Sequence, residues 1–376
     1  VNPEPVDAVA LARLFEYFAL HECAHDPLYV ALCRLVAGRP DLLALLGHAP
    51  PTQRTPNLLL AALHDRVLAG APQRLREYFP GVGGMCAPDD ELPAALDAFI
   101  VAQRAELTQL LATRNTQTNE IGRCAVLWPA LCALAARTGS RRLALLDFGC
   151  SAGLNLGVDG YCYDYGAFAL GAAAGPDVPL VTCRPLGAES AALQRLGDSA
   201  PQLVQREGID PAAVDVHDAA RVRWLRACLW PYDHMRRARF DAALALAQRQ
   251  RFTVRRCDDC AAAIEPWLDR VPAGVMPVVF NSWVLHYLDK AARRSHIAFM
   301  RDLVQRRGVA WLSAEGFHIP IGTAPPLAPV LDATIGDDEV AKGSLWWLLL
   351  PDRGAGEASA TLLARSHPHG WWVQWL

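Results

Sequence analysis

A short apolar run, Leu143-Ala-Leu-Leu-Asp-Phe148, stops at a turn of small residues, Gly149-Cys-Ser-Ala-Gly153, and Leu154 to Val158 follows. An apolar run of this length bounded by glycine reads as a strand buried on both faces. Gly149 and Gly153 can take positive φ, which other residues resist. Strand, glycine turn and helix open a βαβ unit, and that unit requires a second strand parallel to the first. Further apolar runs supply it: Gln202-Leu-Val-Gln205, Phe252-Thr-Val254, Val275 to Phe280 and Val309-Ala-Trp-Leu312. Helical stretches at Arg221 to Leu229 and Arg239 to Arg249 separate several of them, so the expectation is an α/β fold with a parallel sheet covered on both faces. Ser344 to Leu350 and Gly370 to Leu376, with Thr361 to Arg365 as a third run, have no long helix between them. They predict antiparallel strands at one edge.

The first 110 or so residues differ. Leu11, Leu14, Phe15 and Phe18, and later Leu92, Ala95, Leu96, Phe99 and Ile100, recur at helical spacing. Asn57 and Gly70 punctuate a helix over Leu58 to Leu68. No strand pattern occurs here. With 376 residues and roughly 100–200 per domain, the expectation is a helical N-terminal cap over 1–115 and an α/β domain over 116–376. Asn119 to Ala136 reads as the helix that precedes the first strand.

Hydrophobic residues make up 52% of the chain and charged residues 20%, enough for a large core. The net charge of −3 and the absence of a long basic run give no electrostatic case for nucleic acid. No stretch of about 18 consecutive apolar residues suggests a membrane span. Val1-Asn-Pro-Glu-Pro5 does not read as a signal peptide. Eleven cysteines lie scattered in apolar segments, which points to reduced thiols and a cytoplasmic compartment. Cys257-Asp-Asp-Cys260 lacks the second ligand pair of a zinc site, so no metal is expected. Trp346-Trp347 and Trp371-Trp372 read as sheet packing. The sequence leaves the oligomeric state open.

Three ligand classes compete for the turn. Gly149-x-Ser151-x-x-Leu154 departs from the dinucleotide fingerprint, and no phosphate-binding Gly-Lys-Ser/Thr run is present. Asp147-x-Gly149-x-Ser151-x-Gly153 resembles the acidic-x-Gly-x-Gly-x-Gly turn of class I S-adenosylmethionine-dependent methyltransferases, with Ser151 in place of the middle glycine. That resemblance implies a doubly wound, mostly parallel, seven-stranded Rossmann-like sheet with a reversed C-terminal edge strand. It also implies S-adenosylmethionine as cofactor and a small-molecule methyl acceptor. Asp147, Gly149, Ser151, Gly153 and Asn155 would line the cofactor. Asp210 would take the ribose hydroxyls, because a carboxylate accepts two hydrogen bonds from a diol. Glu189 is the alternative if Leu180-Val-Thr-Cys183 is the second strand. Asp258, or its neighbour Asp259, would accept from the adenine amino group, and Asn281 would close the site. The spacing from Asp147 to Asp210 requires an insertion at about 161–200.

Asn119-Glu-Ile-Gly-Arg123, Leu146 to Leu156, Tyr163-Asp-Tyr-Gly166, Arg223 to Pro231 and His367-Pro-His-Gly370 together resemble a bacterial family of uncharacterised proteins with a methyltransferase-like domain. The resemblance covers most of the chain and implies the fold and cofactor class, not the substrate. Candidate catalytic groups are His286, Glu120 and Tyr165, the last in a cluster with Tyr161, Tyr163 and Asp164. That cluster reads either as pocket lining or as a strand opening the insertion. Arg123 is a planar fork suited to a substrate carboxylate, and Asn119, Trp283 and His318 join it as candidate substrate contacts. Glu315 follows the fifth strand. Two other functions stay open: a non-catalytic S-adenosylmethionine-binding protein and a nicotinamide-dependent oxidoreductase.

Overall fold

The computed structural model describes residues 4–117, 119–187, 190–323, 335, 343–352, 354 and 356–376. The chain divides into two compact units, 1–118 with 217–238, and 119–216 with 239–376. The second segment of the helical unit, 217–238, lies inside the stretch that composition assigns to the α/β part.

In the helical unit, Asp7 caps Ala8–Tyr17 through Ala10 N–H, and Asp26 caps Pro27–Ala37 through Tyr29 N–H, both at 2.9 Å. The central helix, Pro56–Leu68, is apolar and buried nearly all round. It starts at Pro56, so Asn57 lies in its first turn and Thr55 is the capping position. This helix explains why 217–238 returns. Buried Asp65 needs a cation and receives Arg223 Nε at 3.0 Å. Buried His64 meets the Ala227 carbonyl at 3.2 Å, and burial pushes its imidazole down to about 4. Asp26 accepts the Tyr232 N–H at 3.0 Å.

The α/β unit is built on a large, mostly parallel sheet of nine strands. Its strands are β1 (Arg142–Phe148), β5 (Arg184–Pro185), β6 (Gln202–Asp210), β7 (Thr253–Arg256), β8 (Met276–Ser282) and β9 (Ala310–Gly316), then β10 (Ser344–Leu350), β11 (Ser359–Ser366) and β12 (Trp372–Trp375). The order is β5-β12-β11-β10-β9-β8-β1-β6-β7. From β7 to β9 every pair is parallel, whereas β9, β10, β11 and β12 form an antiparallel meander. Ala144, Leu146 and Phe148 of β1 join Trp267, Met300, Leu303 and Trp311 in one core. Strand alternation sends Leu143, Leu145 and Asp147 to the opposite face, and they too are buried.

Among the described residues the sheet has nine strands, not seven, and the C-terminal strand is not its edge. β5 pairs parallel with β12, through Arg184 N–H to Trp371 O at 2.9 Å and Leu186 N–H to Val373 O at 2.8 Å. Pro185 has no N–H to offer a further strand, which suits it to that edge. The insertion contributes a small second sheet of β2 (Cys162–Asp164), β3 (Ala169–Gly171) and β4 (Leu180–Thr182). Leu180–Thr182 therefore does not pair with β1, whose neighbours are β6 and β8. Glu189 lies outside the described residues.

After the glycine turn the chain forms a 3₁₀ helix, Leu154–Gly160, rather than the start of a long α-helix. Gly157 and Gly160 disfavour propagation. Among the described residues, no helix is long and apolar enough to cross a membrane.

Candidate functional site

β1 is followed by a turn at the point where the sheet reverses direction of growth: β6 and β7 lie on one side, β8 and β9 on the other. In open parallel sheets, ligands bind beyond the carboxyl ends of the strands at such a reversal. The polar residues singled out in the sequence converge there in two groups.

The first group is the turn itself. Gly149 and Gly153 have φ of +79° and +68°, and Ser151 has φ of +51°. A Cβ on Gly153 would run into Val254, and one on Gly149 into Val284. Gly153→Ala is therefore expected to destabilise the protein by about 2 kcal/mol or more, from left-handed strain plus overpacking. Urea unfolding measures this; an unchanged midpoint would show that the turn is not held as described. Asp210, at the end of β6, accepts Ser151 N–H at 2.8 Å and Ala212 N–H at 2.7 Å. Asn119 straps the turn from the other side, donating to Ser151 Oγ at 2.9 Å and accepting Ala152 N–H at 3.1 Å. Asn155 donates to Asp147 Oδ2 at 3.3 Å. Asp147 is 1% exposed. Burial pushes its carboxyl up to about 7, opposed by the Asn155 hydrogen bond and reinforced by the charge of Asp210.

The second group sits at the ends of β8 and β9. Phe148 is in register with Asn281, and Ser282 with Ala314. Glu315 is buried, and its Oε1 accepts from Asn281 Nδ2 at 2.8 Å, Val284 N–H at 2.9 Å and Leu285 N–H at 3.1 Å. Its Oε2 is buried without a hydrogen-bond partner, and burial raises its pKa above the ordinary carboxylate value. Arg123 donates through Nε to Pro368 O at 2.7 Å and through Nη1 to Ser282 Oγ at 3.2 Å, and its guanidinium lies 5.8 Å from the Trp283 ring centre. Trp283 has φ of +55° and donates to Ser344 Oγ at 2.7 Å. His286 Nδ1 is buried without a partner. Burial, then the charge of Arg123, lowers the imidazole to about 4, so it is neutral at pH 7. His318 is exposed.

Several expected site residues are used elsewhere. Asn281 is 1% exposed; it donates to Ser313 and Glu315, and its Oδ1 accepts Trp311 Nε1 at 2.7 Å. It braces the strand ends through these contacts. The Asp258 side chain is 90% exposed and lies 3.6 Å from Arg256, a surface pair. Exposed Asp259 caps Ala262 N–H at 3.0 Å. A position after the third strand fixes neither depth nor direction of a side chain, and neither Asp faces the turn group through a hydrogen bond. Tyr163 lies within β2, Tyr161 and Tyr165 flank it, and all three are buried. Their hydroxyls donate to the carbonyls of Leu154, Val158 and Ala125, so Tyr165 anchors backbone rather than presenting its hydroxyl. Cys257 and Cys260 are free thiols, and no group of three or more His, Cys, Asp or Glu suited to a metal occurs among the described residues.

Glu120 does not lie on a helix surface. It is buried at the start of a 3₁₀ turn, Ile121–Arg123, and accepts Gly122 N–H at 2.9 Å and Arg239 Nη2 at 3.3 Å. Its other oxygen lies 3.1 Å from His369 Nδ1. Gly122 and Gly370 face each other so closely that a Cβ on either would strike the other segment's backbone. The His367-Pro-His-Gly370 motif was the available sign of this convergence, but nothing in its spacing names Glu120 as its partner.

No curated protein and no solved structure matches the chain. A family model described as "Uncharacterized protein conserved in bacteria (DUF2332)" matches residues 12–375, nearly the whole length, and the chain belongs to that family.

Proposed function

We propose that this protein is an S-adenosylmethionine-dependent methyltransferase acting on a small molecule, on a class I methyltransferase-like sheet. The observation that carries the reading is the pair of carboxylates at the tips of neighbouring parallel strands, Asp147 on β1 and Asp210 on β6, on either side of a turn with two positive-φ glycines. The order β7-β6-β1-β8-β9, followed by the reversed strand β10, supports it further.

The donor set suits the cofactor. A ribose diol and an α-ammonium are hydrogen-bond donors, and Asp210 and Asp147 are acceptors placed within one turn of each other. Residues 147–155 include no Lys or Arg, so the turn offers a pyrophosphate no countercharge from side chains. Asp210 would accept the ribose hydroxyls while still holding Ser151. An ammonium beside Asp147 would keep that carboxyl ionised. S-adenosylmethionine, when bound, supplies a methyl group activated by its sulfonium. Arg123, Trp283 and neutral His286 would orient the acceptor and exclude water, which is the main demand of such a displacement. A non-catalytic S-adenosylmethionine-binding protein is the second reading. It is favoured by the commitment of Asn281 and Glu120 to contacts within the protein.

Calorimetric titration tests both readings at the level of the ligand. S-adenosylmethionine and S-adenosylhomocysteine are expected to bind, and NAD to give no heat. Asp210→Ala removes a charged acceptor worth about 1.5–3 kcal/mol, so affinity should fall roughly ten- to hundredfold. Binding of NAD with no response to either sulfur ligand would overturn the proposal.

A further inference from the structure

Cys257-Asp-Asp-Cys260 has no part in the roles above, yet it is tied to the turn group. The motif follows β7 directly, and β7 pairs with β6. Cys257 N–H donates to the Asp210 carbonyl at 3.1 Å. The Asp210 carboxylate in turn accepts Ser151 N–H at 2.8 Å. Asp210 thus joins the cysteine pair to the glycine turn, by its main chain on one side and its side chain on the other. The two thiols are unequal. Cys257 is partly exposed and Cys260 is buried. The chain bends at Asp258 and turns at Cys260, and Cys260 Sγ comes back to 3.2 Å from the Cys257 carbonyl oxygen. Cys257 Sγ lies 3.0 Å from the Asp259 carbonyl oxygen. The two sulfurs are within hydrogen-bonding reach of each other. Burial, then the Cys257 sulfur and the Asp210 carboxylate, pushes the Cys260 thiol up to about 12, so it stays protonated at neutral pH. The thiolate is the reactive form of a cysteine, and access decides which one reacts. Cys257 is therefore the sulfur that an oxidant from solvent meets first, with Cys260 in reserve behind it.

We propose that Cys257 and Cys260 are a reversible dithiol–disulfide site oxidised by a hydroperoxide, and that closing the disulfide loosens the glycine turn. The disulfide does not depend on the methyltransferase reading; its effect on that ligand does. With hydrogen peroxide as oxidant, the Cys257 sulfur attacks one oxygen as the O–O bond breaks. Cys257 becomes a sulfenic acid and the first water leaves. The Cys260 sulfur then attacks the Cys257 sulfur, the S–O bond breaks and the second water leaves. The two thiols together give up two protons and two electrons, which reduce the peroxide to water. A dithiol such as dithiothreitol reverses the step by exchange. In the reduced loop each sulfur donates to a loop carbonyl. Both donors vanish when the sulfurs bond to each other, and Cys257 must turn away from Asp259. The Cys257 N–H ties this loop to Asp210, so Asp210, and through it Ser151, feels the change.

The test is peptide mapping with hydrogen exchange on the full chain, reduced with dithiothreitol and then treated with hydrogen peroxide. Arg256 precedes the motif, and the next Lys or Arg is Arg270, so trypsin releases both cysteines in one peptide, 257–270. That peptide is expected to become lighter by two hydrogens and to recover with dithiothreitol. Over the same cycle the Ser151 amide should exchange roughly tenfold faster in the disulfide form, as when one charged hydrogen bond is lost. Cys257→Ser and Cys260→Ser should each abolish both changes. If the buried Cys260 variant does not fold, the variant at the more exposed Cys257 serves. Peroxide that leaves the dithiol intact, carries Cys257 on to a sulfinic acid, or links Cys260 to Cys150, whose buried thiol feels it, would overturn the proposal. So would a disulfide that leaves Ser151 exchange unchanged. Titrating both forms with S-adenosylhomocysteine separates the two claims. Weaker binding by the disulfide form is expected. Disulfide and faster exchange, with no binding by either form, would leave the switch intact and remove the methyltransferase reading. Binding without a disulfide would do the reverse.

Discussion

Asp147→Asn is expected to make the ligand-free protein more stable above neutral pH while weakening its hold on S-adenosylhomocysteine at least tenfold. The carboxyl is fully enclosed, and its pKa rises from 3.8 to about 7. A group whose pKa is higher folded than unfolded contributes stability that is complete below the unfolded value and is lost as pH climbs to the folded one. Here that loss runs from about pH 4 to about pH 7 and levels off above. The displacement corresponds to about 4 kcal/mol between the two protonation states, an upper bound for what asparagine can recover. Asparagine keeps an oxygen for the Asn155 amide and never ionises. Urea unfolding at pH 5 and pH 8.5 should therefore show a gap between variant and wild type that widens by about 2 kcal/mol or more at the higher pH. A variant less stable than wild type at pH 8.5 would contradict the buried, near-neutral carboxyl. The opposite signs for stability and binding are the mark of a charge kept for a ligand.

Glu315→Ala is expected to have the largest effect on folding, a loss of about 3–5 kcal/mol. One oxygen of Glu315 serves the Asn281 amide and the backbone N–H groups of Val284 and Leu285. Each buried donor left without an acceptor costs about 1–3 kcal/mol. Glu315→Gln retains that acceptor and should cost less than half as much. Trp311 hydrogen-bonds to Asn281, so tryptophan fluorescence is a natural probe for the urea transitions. Equal losses in the two variants would show that the carboxylate's hydrogen bonds do not carry the energy.

The elements read well from sequence were those with local causes. The strand into Asp147 and the turn behind it follow from an apolar run and glycine spacing. Asp210 follows from its place at the end of the strand beside β1. The short strands were legible only in part: the tyrosine cluster and Leu180–Cys183 carried a strand reading that Cys162–Asp164 and Leu180–Thr182 match, whereas two residues such as Arg184–Pro185 show no period. For Asp258 and Asn281 the sequence was silent on a related point. Chain position fixed their strand ends but not whether the side chain faces solvent, as Asp258 does, or is enclosed by Ser313, Glu315 and Trp311, as Asn281 is. His369 was invisible as a partner of Glu120 because that contact exists only once β11 and β12 have brought the last hairpin back.

The return of 217–238 to the helical unit has a consequence for how the chain is made. Protein emerges from the ribosome at about 5–20 residues per second, and domains that are continuous in sequence can close as soon as they are out. This helical unit cannot, because Asp65 and Asp26 receive Arg223 and the Tyr232 N–H only after β1, the glycine turn and β6 have all been synthesised. Its central helix waits, with buried polar groups unmatched, while the first half of the sheet appears. The two units are therefore interleaved in time as well as in sequence, and the helix His234–Gln250, which carries the chain from one unit into the other, is made only after both have begun.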